Sequence, residues 1–131
     1  METKPLIVVA DDDSGDRLLV KLAFEEAGVD VNIIECENGE ELITFITTNC
    51  KKVVPKFILL DLNMPKKNGI EVLEFMRSTP TICDIPVYIF STSSDQKDMD
   101  RTKALGADDY IVKPFDYNGY VDIARSLEKY L

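Results

Sequence analysis

Four apolar stretches of this chain end abruptly in residues that can do chemistry. Leu6–Ala10 runs into Asp11, Asp12 and Asp13, Phe57–Leu60 into Asp61, Val87–Phe90 into Ser91, and Tyr110–Val112 into Lys113-Pro114. Adjacent carboxylates raise one another's pKa unless a cation binds among them. Magnesium suits such a group, because it takes hard oxygen ligands, keeps several waters and needs only one or two carboxylates. A carboxylate oxygen can also attack phosphorus, and phosphoryl transfer asks mainly for positioning and charge neutralisation. A lysine beside such an acid can pair with it first and with a phosphoryl oxygen later. Acids, hydroxyl and lysine together describe a cation and phosphoryl site.

Taken singly, each residue has a plainer use. Aspartate caps helices, Asp61 could sit in an ordinary turn before Leu62-Asn63-Met64-Pro65, and lysines are usually solvated. One cap, however, needs one residue, so three consecutive acids exceed that role. In the run Ser91-Thr92-Ser93-Ser94, capping accounts for Ser94 or Asp95 and not for the first serine.

The elements that must position these residues alternate along the chain. An apolar run that stops dead reads as a buried parallel strand, and ligands bind at the carboxyl edge of such sheets. After the first strand, Ser14 or Asp13 can cap a helix with Leu18, Leu19, Leu22 and Ala23 as its apolar stripe, stopped at Gly28. Val31–Cys36 is a second, more polar strand, expected nearer an edge. Asn38-Gly39 opens a helix with Leu42, Ile43 and Ile46 on one face. Asn68 caps another, carrying Val72, Leu73 and Met76 and ending before Pro80. A helix over about 95–105 is poor in apolar residues and stops at Gly106. Asp116 caps the last, where Tyr117, Tyr120, Val121, Ala124, Leu127 and Leu131 keep helical spacing. Phe115 and Tyr120 stand where a hydrophobic staple would form. Five strand–helix units without repeats or a linker predict one domain, residues 1–131, built as a three-layer α/β/α sandwich around a parallel sheet.

Composition narrows the function. The formal charge of −9 argues against a nucleic-acid partner. The longest apolar stretches fall far short of the roughly 20 residues that span a bilayer, and the first residues lack a signal-peptide pattern, so a cytoplasmic location is expected. Cys36, Cys50 and Cys83, without any histidine, fit no zinc spacing and are expected as reduced thiols.

With these motifs in hand (ADDDSGDRLL, FILLDLNMPKKNGIEVL, PVYIFSTSS and GADDYIVKPF), the chain resembles the receiver domains of two-component response regulators over its whole length. It is most similar in plan to stand-alone receivers, such as the chemotaxis regulator and the partners of bacteriophytochromes. The resemblance implies a flavodoxin-like fold with strand order 2-1-3-4-5. It makes Asp61 the phosphoacceptor and places Mg²⁺ among Asp11, Asp12, Asp61 and the Asn63 carbonyl, with Asp12 a direct ligand and Asp11 acting mainly through water. Ser91 becomes the switch hydroxyl, with Thr92 beside it near the phosphoryl group. Lys113 becomes the phosphoryl-binding lysine, Tyr110 the switch aromatic, and Pro114 a cis-proline. Asp13 departs from the apolar or proline residue of many relatives. The implied partners are a histidine kinase or histidine phosphotransfer protein upstream and an unnamed protein target downstream. A monomer or weak dimer is implied as well.

Two other classes fit less well. An aspartyl phosphatase would want a second aspartate as general acid where Asn63 stands. A flavin-binding module would want a Ser/Thr/Gly-rich loop after the first strand, where three anionic residues would repel a cofactor phosphate.

Overall fold

A computed structural model describes residues 4–49, 54–80, 82 and 84–131. Five strands, β1 (Leu6–Ala10), β2 (Asn32–Cys36), β3 (Phe57–Leu60), β4 (Val87–Ser91) and β5 (Asp109–Val112), alternate with five helices. The helices are α1 (Ser14–Glu26), α2 (Gly39–Asn49), α3 (Gly69–Ser78), α4 (Gln96–Ala104) and α5 (Tyr117–Leu127). The sheet is parallel throughout, in the order β2-β1-β3-β4-β5. Successive strands step outward from β1 in opposite directions, so β1 and β3 meet at the point where the order reverses. That point is where α/β sheets open a crevice.

Alternation along the strands divides the core between the two faces. Val8, Ala10, Ile58, Leu60, Val87 and Ile89 pack with Leu42 and Ile46 of α2 and Val72, Leu73 and Met76 of α3. Ile7, Val9, Phe57, Leu59, Tyr88 and Phe90 pack with Val20, Ala23 and Phe24 of α1 and Tyr120, Val121, Ala124 and Leu127 of α5. The central strands β1, β3 and β4 are thus covered on both faces. β5 is the second edge strand and only half buried, which the apolar run Tyr110–Val112 did not announce.

The caps fall where side-chain oxygens can reach free amides. Asp13 accepts from Gly15 and Asp16, Asn68 closes a capping box with Glu71, Asp95 accepts from Lys97, and Asp116 from Gly119. The capping role of Asp13 accounts for an acid at that position.

Two expectations about packing are corrected. The inner face of α1 is Val20, Ala23 and Phe24, while Leu18 and Leu22 are 52% and 41% exposed. Arg17 and Lys21, one turn apart, both reach Glu35 on β2, and this pairing fixes the rotation of the helix against its leucine stripe. Phe115 forms no staple: it is fully exposed, while Tyr120 packs edge-on against Phe90. Among the cysteines, Cys36 is free and buried; Cys50 and Cys83 lie outside the described residues. No helix among the described residues is long and apolar enough to cross a membrane.

Candidate functional site

The reversal in strand order sets Asp11 beside Asp61. Ala10 and Leu60 are in register, the Asp61 amide donates to the Ala10 carbonyl at 2.9 Å, and each aspartate follows its strand by one residue. Both carboxylates are buried, at 3% and 7% exposure for the whole residues. Asp12, one step further out, is exposed. Asp11, Asp12 and Asp61 each offer a carboxylate oxygen, and these oxygens lie within 4.8 Å of one another. Three hard, anionic oxygens so close, one of them open to solvent, suit a divalent cation that keeps part of its water shell.

Little of Asp11 is left unused. Its Oδ1 accepts from the Asp13 amide at 2.9 Å, its Oδ2 accepts from Lys113 Nζ at 2.6 Å, and its carbonyl accepts from Arg17 at 2.6 Å. Asp61 is held more loosely: its Oδ1 accepts from the amide of Asn63, an exposed residue in the loop that follows, at 3.3 Å, and its Oδ2 lies 3.5 Å from Lys113 Nζ. Burial pushes the Asp61 carboxyl up to about 6, with the charge of Asp11 adding to the shift and Lys113 opposing it. The approach of α3 to this loop is close. A Cβ on Gly69 would stand 2.5 Å from the Asp61 carbonyl, so only glycine lets the helix begin there.

Lys113 enters from β5. Its backbone amide donates to the Ser91 carbonyl at 2.8 Å, which ties the ends of β4 and β5 together. Its ammonium lies 2.6 Å from Asp11, 2.8 Å from Asp16 and 3.5 Å from Asp61. Burial disfavours the charge on Lys113, but the bonds from Asp11 and Asp16 outweigh it and raise its pKa above the ordinary lysine range. The ring of Phe90 lies 5.7 Å from the same nitrogen. The described residues contain no cis peptide bond, so the bond between Lys113 and Pro114 is trans, contrary to the expectation of a cis-proline. The strand register already aims the amine at the acids, and no reversal of the chain is needed to bring it there.

Ser91 is completely buried at the end of β4, and its Oγ accepts from the Ser93 amide at 3.2 Å. Thr92 beside it is exposed. Tyr110 is half buried and donates its hydroxyl to the Ser93 carbonyl at 2.8 Å. Ser93 thus joins the Ser91 hydroxyl to the Tyr110 ring. Its own hydroxyl donates to Asp98 at 2.7 Å and accepts from the Asp95 amide at 3.2 Å, which anchors the first turn of α4.

Asp11, Asp12, Asp61, Asn63, Ser91, Thr92, Lys113 and Pro114 therefore lie at one edge of the sheet, with Asp11, Asp61 and Lys113 in mutual reach, while Tyr110 stands inside β5 opposite Ile89 and reaches that edge through its hydroxyl bond to Ser93. Sequence reasoning missed two participants. Ser93 sat inside a serine run with no mark to distinguish it. Asp16 stands in the first turn of α1, where an acid is favoured by the helix dipole whatever else it does. The signal available for Asp16 was its spacing, one helical turn after Asp12 and Asp13 at the same sheet edge.

Known proteins share the sequence pattern and the fold. Residues 7–125 match the family model described as the response regulator receiver domain. A probable transcriptional regulator ycf27 of Porphyridium aerugineum is 36% identical over 112 residues, which cover 86% of this chain but 43% of that protein. The chain thus spans less than half the length of that relative. The crystal structure of the phosphorylated cyanobacterial phytochrome response regulator RcpA superposes with a TM-score of 0.88 at 29% identity, covering 98% of this chain and 94% of the other. The Mn(2+)-bound form of response regulator Rcp1, a Synechocystis protein, gives a TM-score of 0.83 at 27% identity, covering 97% and 93%.

Proposed function

Because the chain belongs to the response regulator receiver family, we propose that residues 1–131 form a phosphorylation-controlled switch whose phosphoacceptor is Asp61. One observation carries this reading: Asp61 is a buried carboxylate with two acids within 4.8 Å and an ammonium at 3.5 Å. Asp11 shares the burial, the cluster and the lysine, but both of its carboxylate oxygens already hold short bonds, from the Asp13 amide at 2.9 Å and from Lys113 at 2.6 Å, whereas Asp61 has longer contacts of 3.3 Å with the Asn63 amide and 3.5 Å with Lys113. The phosphorylated state of RcpA and the Mn(2+)-bound state of Rcp1 support the reading by similarity.

The donor is a histidine kinase or a histidine phosphotransfer protein. An oxygen of the Asp61 carboxylate attacks phosphorus, the phosphorus–nitrogen bond of the donor breaks, and its electron pair returns to the imidazole. Asp11, Asp12, Asp61 and the Asn63 carbonyl would hold Mg²⁺. When bound, the ion neutralises carboxylate charge and steadies the phosphoryl oxygens. Lys113 balances the remaining charge, and Ser91 donates its hydroxyl to a phosphoryl oxygen, with Thr92 at the rim. Drawing Ser91 toward Asp61 loosens its bond from Ser93. Tyr110, tied to Ser93, then moves inward, and the surface of α4 and β5 changes with it. A protein partner reads that change. The chain promotes its own phosphorylation and dephosphorylation and turns over no external metabolite. It works in the cytoplasm as a monomer or weak dimer.

Incubation with acetyl phosphate and Mg²⁺ should add one acid-stable, base-labile phosphoryl group, and chelation should prevent it. Equal labelling of Asp61→Asn and the parent would overturn the assignment.

A further inference from the structure

We infer that Asp16 is a positioning residue that holds the Lys113 ammonium in the unphosphorylated chain and thereby sets how tightly the site takes up a phosphoryl group. The inference rests on the phosphoacceptor reading above and adds a residue to it.

The geometry separates Asp16 from the other acids. Lys113 Nζ makes two short bonds, 2.6 Å to Asp11 and 2.8 Å to Asp16, and stands 3.5 Å from Asp61. Bonds of the first kind lie in the range of charge-assisted hydrogen bonds, and the third is longer than that range. The resting ammonium is therefore directed at β1 and α1, not at the acceptor. Asp16 takes no part in the cation cluster, which comprises Asp11, Asp12 and Asp61 among the described residues. Nor is it a cap, since Asp13 fills that place. Among the described residues, its one hydrogen-bonded side-chain partner is the lysine.

Phosphorylation changes the partners of Lys113 unequally. Asp61 gains negative charge and attracts the ammonium more strongly. Asp11 shares its charge with the bound cation and attracts it less. Asp16 alone keeps its carboxylate unchanged, so it is the partner that competes with the phosphoryl group for the lysine. Replacing it by the isosteric amide keeps the shape of the first turn and removes the competitor.

The test is titration with beryllofluoride in Mg²⁺, read by chemical shift or fluorescence, on the parent, Asp16→Asn and Asp13→Ser. Serine is as good a cap as aspartate, so Asp13→Ser removes a neighbouring charge without unwinding α1. Asp16→Asn should tighten binding about two- to fivefold, the scale of one partly exposed ion pair, while Asp13→Ser should change it by well under about twofold on the same scale. The tightening should also vanish in a Lys113→Gln background, because without the ammonium Asp16 has nothing to hold. Unchanged binding by Asp16→Asn, equal tightening by Asp13→Ser, or tightening that persists beside Lys113→Gln would each overturn the inference while leaving the acceptor reading intact. A parent that fails to bind the probe at all would overturn both.

Discussion

Helix α5 presses Tyr120, Val121, Ala124 and Leu127 into the core it shares with α1, whereas α4 buries Thr102 alone. Even that residue turns inward upon its own helix, its hydroxyl donating to the carbonyls of Asp98 and Met99 at 2.9 and 3.2 Å. The candidate site spans the two regimes. Lys113 bonds both Asp11 and Asp16 on the well-packed side, and Ser91, Ser93 and Tyr110 stand on the side leading to α4. A segment with little apolar anchoring opens and shifts at low free-energy cost. Under the proposed switch the two halves do different work: one holds charge in place, and the other converts a change of charge into a change of surface.

The comparison breaks most visibly under truncation of apolar side chains. Leu127→Ala should cost about 2–5 kcal/mol, as for other buried leucines, while Met99→Ala in α4 should cost under about 1 kcal/mol. Urea unfolding of both variants measures this. Equal losses would mean that α4 is anchored as firmly as α5.

A smaller effect concerns the charge held on the rigid side. The folded chain binds the Asp61 proton more tightly than the unfolded chain, since its pKa stands at about 6 against an ordinary 3.8. The carboxylate therefore destabilises the fold progressively as pH rises from about 4 to 6, and the penalty is complete above that window. In a chelator, Asp61→Asn should accordingly be more stable than the parent by about 3 kcal/mol at pH 7.5, and the gain should disappear near pH 4. A gain of the same size at both pH values would show that burial and repulsion of the charge are not its source.

Magnesium should relieve the same repulsion. At ten times Kd it should stabilise the parent by about 1.4 kcal/mol, seen as a rise in Tm, and Asp12→Asn should abolish most of that rise. An undiminished magnesium response in Asp12→Asn would remove Asp12 from the ligand set.

Much of this architecture was readable from the sequence because apolar runs that end in charge mark strand ends. The faces of α2 and α3 followed from helical spacing, with Leu42, Ile46, Val72, Leu73 and Met76 all buried. Spacing does not fix how a helix is rotated when two stripes compete. In α1 the pairing of Arg17 and Lys21 with Glu35 decided against Leu18 and Leu22. The staple at Phe115 failed for a related reason: Tyr120 found an aromatic partner in Phe90 and left nothing for Phe115 to cover. Asp16 and Lys113 are 97 positions apart, so no local pattern links them. The trans bond at Pro114 reflects the reach of a lysine side chain from its strand, a matter of register and not of residue type.

The most direct test of the division between a fixed and a moving half is a set of amide chemical shifts recorded in Mg²⁺ with and without beryllofluoride. The account predicts shifts at the loops after β1, β3 and β4 that continue through α4 and β5 to Tyr117, while the body of α1 past its first turn stays nearly still. Shifts confined to the site loops, with residues 95–117 unmoved, would contradict it.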